Sequence, residues 1–208
     1  MIFDLDGTLI DSKNAIIESM NTTLKHFKLP EKSSHEISSY IGRGVEELIK
    51  ESAALQDTAL LNEIESFFAA HFRRHANERS RLFPHVSSVL EYFKQKKKII
   101  ITNRKYAIAL HDLEHFHIAH YFVDIIGGDD LTCMKPSSCP IDRVINNYTI
   151  DSQKTIIIGD MAIDIMAGKN AHIITCAFNG GIGKVHDIKS AEPDYIIDDI
   201  NQLKNIIK

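Results

Sequence analysis

The sequence predicts an α/β protein, a Rossmann-like parallel sheet core flanked by helices, with an all-helical cap inserted after the first strand. Three observations lead there. Short apolar, isoleucine-rich runs recur at residues 1–3, 98–102, 122–126, 155–158, 173–177 and 195–197, and unbroken runs of this length suit strands buried on both faces. Amphipathic stretches separate most of them, the alternation that builds a parallel sheet covered by helices. The first gap differs: over 15–27, 45–54 and 60–72 apolar residues recur at helical spacing with no strand pattern, so helices alone are expected there.

In chain order, the first run is followed at once by Asp4-Leu5-Asp6-Gly7-Thr8. This places two carboxylates at the C-terminal end of a strand, where open α/β sheets hold their ligands. Two residues apart in extended chain, they project to the same side, and Gly7 lets the backbone turn so that amides approach whatever they hold. Such a pair suits one nucleophile and one proton carrier. A calcium loop is disfavoured, because a further Asp or Asn before the glycine and a terminal Glu are missing. The helical insert is expected over 13–79, leaving 1–12 and 80–208 as the catalytic core. The chain leaves the insert at Pro84, ahead of a helix over 86–93 whose end carries the basic run 94–98, read as cations on a solvated helix C-terminus.

The strand over 98–102 ends in Thr102-Asn103, a hydroxyl and an amide donor suited to phosphate oxygens, although the same pair is an ordinary cap or turn. Lys135-Pro136, beyond the turn Gly127-Gly128-Asp129-Asp130, offers a cation on a loop stiffened by proline. The run at 155–158 leads into Gly159-Asp160, with Asp164 four residues on and on the same face of a first helical turn. Asp4, Asp6, Asp160 and Asp164 converging at adjacent strand ends would repel one another without a hard cation, and an all-oxygen donor set favours Mg²⁺.

Composition narrows the partners. The 208 residues carry a net charge of −4 with 24 basic residues spread along the chain, which gives no electrostatic footprint for nucleic acid. Cys133, Cys139 and Cys176 are odd in number and lack metal-ligand spacing, so free thiols in a reducing, cytoplasmic setting are expected. No apolar run approaches the ~20 residues of a membrane span, and two aspartates interrupt the N-terminal run before it could act as a signal segment. Without repeats or a flexible linker, the insert should rest on the core. His71/His75 and His111/His115 have the i, i+4 spacing of metal ligands but no third partner, and are read as solvated helix faces. Gly180-Gly181-Ile182-Gly183 lacks the Lys-Ser/Thr of a phosphate loop and has no clear helix after it, so it is read as a plain turn.

The order and spacing of these elements resemble the haloacid dehalogenase-like hydrolase superfamily over nearly the whole chain. Its first motif corresponds to Asp4-Leu5-Asp6-Gly7-Thr8 with Leu9 and Asp11-Ser12, its second to Thr102-Asn103, its third to Lys135-Pro136 and its fourth to Gly159-Asp160 with Asp164; Ala167-Gly168-Lys169 also fit. Asp6 is the acid that the phosphatase branches carry and the dehalogenase branch lacks. Ile41-Gly42-Arg43-Gly44, Leu82-Phe83-Pro84-His85-Val86 and Ile126-Gly127-Gly128-Asp129-Asp130 look most like the phosphoglycolate phosphatase group. The resemblance implies a mobile cap, with Arg43 a candidate contact for a substrate carboxylate or phosphate. It also implies an aspartyl-phosphate mechanism, in which Asp4 is the nucleophile and Asp6 the acid and base. Mg²⁺ would be held by Asp4, the Asp6 backbone carbonyl, Asp160 and Asp164, and the phosphate by Thr102, Asn103 and Lys135.

A small phosphorylated metabolite, 2-phosphoglycolate first, is the implied substrate of a monomer or homodimer. The rivals are an inorganic pyrophosphatase or nucleotidase, a phosphosugar mutase, and a non-catalytic phosphate-binding module. Against the family pattern, the first strand should be unusually short, Met161 replaces a usual Ser or Thr, His172 replaces a usual Gly, and a Pro is expected near Ser138.

Overall fold

The computed structural model describes residues 1–207. From the N-terminus, β1 (Ile2–Phe3) turns into β2 (Ile10–Asp11), and four helices follow: α1 (Lys13–His26), α2 (Ser34–Tyr40), α3 (Val45–Ala53) and α4 (Thr58–Arg79). The chain returns through β3 (Arg81–Leu82) and α5 (Val86–Tyr92) to β4 (Ile99–Ile101), α6 (Tyr106–His115), β5 (Asp124–Ile126), α7 (Cys139–Tyr148) and β6 (Ile156–Gly159). It closes with α8 (Ala162–Asn170), β7 (Ile174–Phe178), α9 (Val185–Ser190), β8 (Tyr195–Ile197) and α10 (Leu203–Ile206). Six strands form one parallel sheet in the order β5-β4-β1-β6-β7-β8.

β1 is short, as expected, yet central. Ile2 and Phe3 pair with Ile99 and Ile100 of β4 on one side and with Ile157 and Ile158 of β6 on the other. Successive residues face opposite layers. Phe3, Ile100, Ile158 and Cys176 pack with Val89 and Leu90 of α5 and Leu113 of α6; Ile2, Ile99, Ile101 and Ile157 pack with Ile141 and Val144 of α7 and Ala167 of α8. In β1, β4 and β6 both faces are dry, and so these strands show no polar alternation.

The insert helices close around a separate hydrophobic cluster that includes Met20, Leu24, Ile49, Ile64 and Phe72, with Ile108 of α6 and Ile182 joining from the core side. Two of its features depart from expectation. α2 has no apolar period long enough to predict it, but Ser33 and Glu36 form a reciprocal capping box, Ser33 Oγ accepting from the Glu36 amide at 3.2 Å and Glu36 Oε2 from the Ser33 amide at 2.9 Å. Entry and exit of the insert are tied by an antiparallel ribbon too short for a period, Ile10 opposite Leu82 and Asp11 opposite Arg81, with the Arg81 guanidinium 3.0 Å from Asp11.

The basic run after α5 is not uniformly solvated. Lys94 pairs with Glu91 on the surface, whereas Lys98 is buried and its Nζ donates to the Phe93 and Lys96 carbonyls at 2.6 and 3.2 Å, capping the helix end. Near Ser138 the expected proline is Pro140, in the first turn of α7. His172 follows α8 in the left-handed region, φ 54°, while Ile173 N–H donates to Gly168 O and His172 N–H to Lys169 O, both at 3.0 Å. This is the helix-ending arrangement that favours glycine. His172→Gly should therefore raise stability by about 1 kcal/mol, read as a melting temperature higher by about 2–4 °C. Among the described residues, no helix is long and apolar enough to cross a membrane.

Candidate active site

Parallel strands deliver their C-terminal ends to one edge, and β1, β4 and β6 are neighbours, so the residues after them converge. Asp4, Thr102, Asn103, Asp160 and Asp164 are all buried there, and Lys135 joins from the loop after β5. Lys135 Nζ donates to Asp4 Oδ1 and Asp164 Oδ1, each at 2.6 Å, and to the Ile101 carbonyl at 2.9 Å. Burial alone would lower the pKa of this ammonium, but Asp164 and Asp4 together outweigh it and hold the lysine charged.

Asp160 is fixed from three sides. Thr8 Oγ1 donates to its Oδ1 at 3.0 Å, and the amides of Ile182 and Gly183 donate to its Oδ2 at 2.7 and 3.2 Å. The glycine cluster is thus a turn, as read, but it holds Asp160, and contrary to expectation a helix, α9, follows it directly. The turn lies so close that a Cβ at Gly181 would fall 2.2 Å from the Gly7 carbonyl; Gly7 itself has φ +82°, and a Cβ there would fall 2.2 Å from Asp160 Oδ2. Side chains larger than hydrogen are excluded at both positions. Met161 supplies what the fold needs at its position with its backbone, its N–H donating to Asp164 Oδ2 at 2.9 Å.

The carboxylates of Asp4, Asp160 and Asp164 each present an oxygen within 4.8 Å of the others, the cluster of metal-ligand type found among the described residues. Burial, and then the neighbouring Asp164, push the Asp160 carboxyl up to about 7; burial pushes Asp4 well up against the pull of Lys135. One lysine facing three buried carboxylates leaves negative charge in excess. The donor set, all carboxylate oxygen, fits a hard divalent cation such as Mg²⁺. The Asp6 side chain is outside this trio: its Oδ1 accepts from Ser12 Oγ and from Arg104 Nη2.

Other expectations change in detail. Asn103 is in place, but its carboxamide is engaged with protein: Nδ2 donates to the Gly42 and Lys135 carbonyls at 2.9 Å each, and Oδ1 accepts from the Lys135 amide at 3.0 Å. The main-chain N–H groups of Leu5, Asp6 and Asn103 have no protein acceptor among the described residues, and Asp6 and Asn103 line the cavity. Thr102 Oγ1 accepts from the Arg104 amide at 3.2 Å. Arg43 is exposed and off the cavity wall, although its neighbours Gly42 and Gly44 line it. Cys133 and Cys139 are not free thiols but form a disulfide that brackets Lys135-Pro136. Cys176 alone is free, and burial pushes its thiol up to about 12. His71 is half-buried rather than solvated, its ring 3.2 Å from Ser19 Oγ and stacked on Phe67. Arg104, which the sequence reading passed over, lines the cavity beside Asp6.

Above the carboxylates lies a cavity of about 80 Å³, roofed by Ile16, Val45, Leu48, Phe68 and Phe72 of the insert. Buried carboxylates with a lysine, at the carboxyl edge of a parallel sheet and under a helical roof, define an α/β protein whose candidate site lies at the strand ends. A family model for haloacid dehalogenase-like hydrolases matches residues 1–178. The chain is 30% identical to the phosphoglycolate phosphatase of Agrobacterium fabrum over 97% of this chain and 89% of that one. It is 28% identical to that of Vibrio cholerae over 99% and 95%. A crystal structure of a predicted phosphoglycolate phosphatase from Haemophilus somnus superposes with a TM-score of 0.87 at 27% identity, covering 99% of this chain and 96% of that one. The chain belongs to the haloacid dehalogenase-like hydrolases, within the group that resembles phosphoglycolate phosphatases, and is a phosphatase.

Proposed function

We propose that this chain is a Mg²⁺-dependent phosphomonoesterase that works through an aspartyl-phosphate on Asp4, with 2-phosphoglycolate as its substrate. The observation that carries the reading is Asp4 itself, buried at the end of β1 and bonded to Lys135 beneath the cavity. Mg²⁺, held by Asp4, Asp160 and Asp164 with the Asp6 carbonyl, would supply the counter-charge that lets a phosphate dianion approach a carboxylate.

In the first step an Asp4 carboxylate oxygen bonds to phosphorus, the ester P–O bond breaks, and Asp6 gives its proton to the departing alkoxide. In the second, Asp6 takes a proton from water as the water oxygen bonds to phosphorus and the Asp4–phosphorus bond breaks, restoring both carboxyl groups. Lys135, the Thr102 hydroxyl and the amides of Leu5, Asp6 and Asn103 would meet the phosphoryl oxygens as charge develops on them. Residues 13–79 act as the cap over the core formed by 1–12 and 80–208, admitting substrate when they move away. The substrate carboxylate would be met by Arg43, or by Lys105, which already stands on the cavity wall.

The test is phosphate release from 2-phosphoglycolate, sugar phosphates, nucleotides and pyrophosphate, with Mg²⁺ and after chelation. Mg²⁺-dependent release with 2-phosphoglycolate preferred is expected. Activity that survives chelation would overturn the metal assignment, and equal or better turnover of nucleotides or pyrophosphate would overturn the substrate.

A further inference from the structure

Three consecutive residues after β4 reach across to the insert. The Asn103 carboxamide donates to Gly42 O at 2.9 Å, Arg104 lies with its Cζ 4.5 Å from the centre of the Phe72 ring on α4, and Lys105 pairs with Glu65 of the same helix. Arg104 also faces inward. Its Nη2 donates to Asp6 Oδ1 and its Nη1 to Asp112 Oδ2 on α6, and the three side chains are only 9%, 15% and 4% exposed. Asp112 has a second partner, His111 Nδ1 at 3.2 Å. Ser12 Oγ donates to the same Asp6 oxygen that Arg104 holds, so Oδ1 takes both bonds. Asp6 Oδ2 has no hydrogen-bond partner among the described residues, and Asp6 lines the cavity.

We propose that Arg104 is a positioning residue: anchored by Asp112 and covered by Phe72, it clamps Asp6 through Oδ1 and so presents Oδ2 to the leaving oxygen. This rests on the reading of Asp4 and Asp6 given above. A guanidinium is suited to the task because its planar fork bonds two carboxylates at once, which a lysine ammonium on a flexible stem does not reproduce. The aromatic face keeps water from one side of the fork, which strengthens both ion pairs and ties their formation to the docked insert. With the insert withdrawn, Phe72 leaves and the clamp opens to solvent. The acid is therefore aligned when the site is closed over substrate. An acid misplaced by about 1 Å loses on the order of 10²-fold in rate.

The test compares kcat/KM for two ester classes, since this ratio reports the step in which the leaving group departs. p-Nitrophenyl phosphate releases a phenolate that needs no proton; 2-phosphoglycolate releases an alkoxide that does. Arg104→Met is expected to lower kcat/KM for the alkyl ester by about 30- to 100-fold and for the aryl ester by no more than about 3-fold, because general-acid assistance matters only for the former. Arg104→Lys should recover little of the loss. Asp112→Asn, which keeps the arginine but removes its anchor, should show the same selective pattern with a smaller amplitude. Arg104→Met strands the Asp112 carboxylate, so the double variant Arg104→Met/Asp112→Asn keeps the test valid should the single variant fold poorly. Equal losses on both esters, or no loss on either, in a variant with native circular dichroism would overturn the proposal. Asp4→Asn run beside them separates the two levels: turnover retained in that variant would overturn the underlying chemistry instead.

Discussion

Asp4→Asn should abolish turnover while leaving the fold intact. Loss of the nucleophile in a site of this kind is expected to lower kcat by about 10⁴-fold or more, because the remaining groups bind and orient but form no bond to phosphorus. Stability should hold, for a reason visible in the charge balance. Asp4, Asp160 and Asp164 lie within 4.8 Å of one another with Lys135 as their cation, so a neutral residue of the same shape at position 4 removes repulsion while Asp164 still pairs with Lys135. Unfolding of the two proteins in the absence of Mg²⁺ should show the variant as stable as the parent or more so. Residual activity within a few-fold of the parent would remove Asp4 from the mechanism.

Lys135→Met should have the opposite profile on stability. Nζ is fully enclosed by Asp4, Asp164 and the Ile101 carbonyl, and its removal leaves buried carboxylates without their cation. Breaking a buried ion pair from one side costs about 3–5 kcal/mol, and losing a donor aimed at developing phosphoryl charge costs about 10²- to 10³-fold in kcat. Denaturant midpoints and kcat, measured together, check both. Added Mg²⁺ should restore part of the lost stability by binding the folded state, but not the turnover. A variant as stable as the parent without Mg²⁺ would mean that the carboxylates do not depend on this lysine.

The sheet was legible because its central strands are dry on both faces. Isoleucine runs such as 99–101 and 156–158 have no polar alternation to confuse with a surface strand. The convergence of the candidate site was legible for a related reason: Asp4, Thr102, Lys135 and Asp160 each stand directly after such a run or on the loop beyond it, and topology brings those ends together. What stayed hidden depends on pairings that no local pattern encodes. Arg104 meets Asp6 from 98 residues away and Asp112 from 8; its signal, a guanidinium next to Thr102-Asn103, was present but pointed nowhere without the insert in place. Asn103 looked like a phosphate donor, and only the positions of Gly42 and Lys135 show its carboxamide engaged.

Cys133 and Cys139, read as thiols from an odd count, are joined because the loop around Lys135-Pro136 folds back on itself. Lys98 is one lysine in a basic run, and its burial follows from where α5 ends rather than from the run. The β2–β3 ribbon has two residues in each strand, fewer than a period needs. α2, in contrast, could have been found from the spacing of Ser33 and Glu36 alone.

The central claim is that phosphorus is displaced twice, first by Asp4 and then by water. The most direct measurement is the stereochemical course of hydrolysis, in ¹⁷O-enriched water, of a substrate whose thiophosphoryl group is made chiral with sulfur, ¹⁶O and ¹⁸O. Each in-line displacement inverts phosphorus, so transfer through Asp4 predicts net retention in the released thiophosphate. Net inversion would mean a single attack by water and would contradict the account.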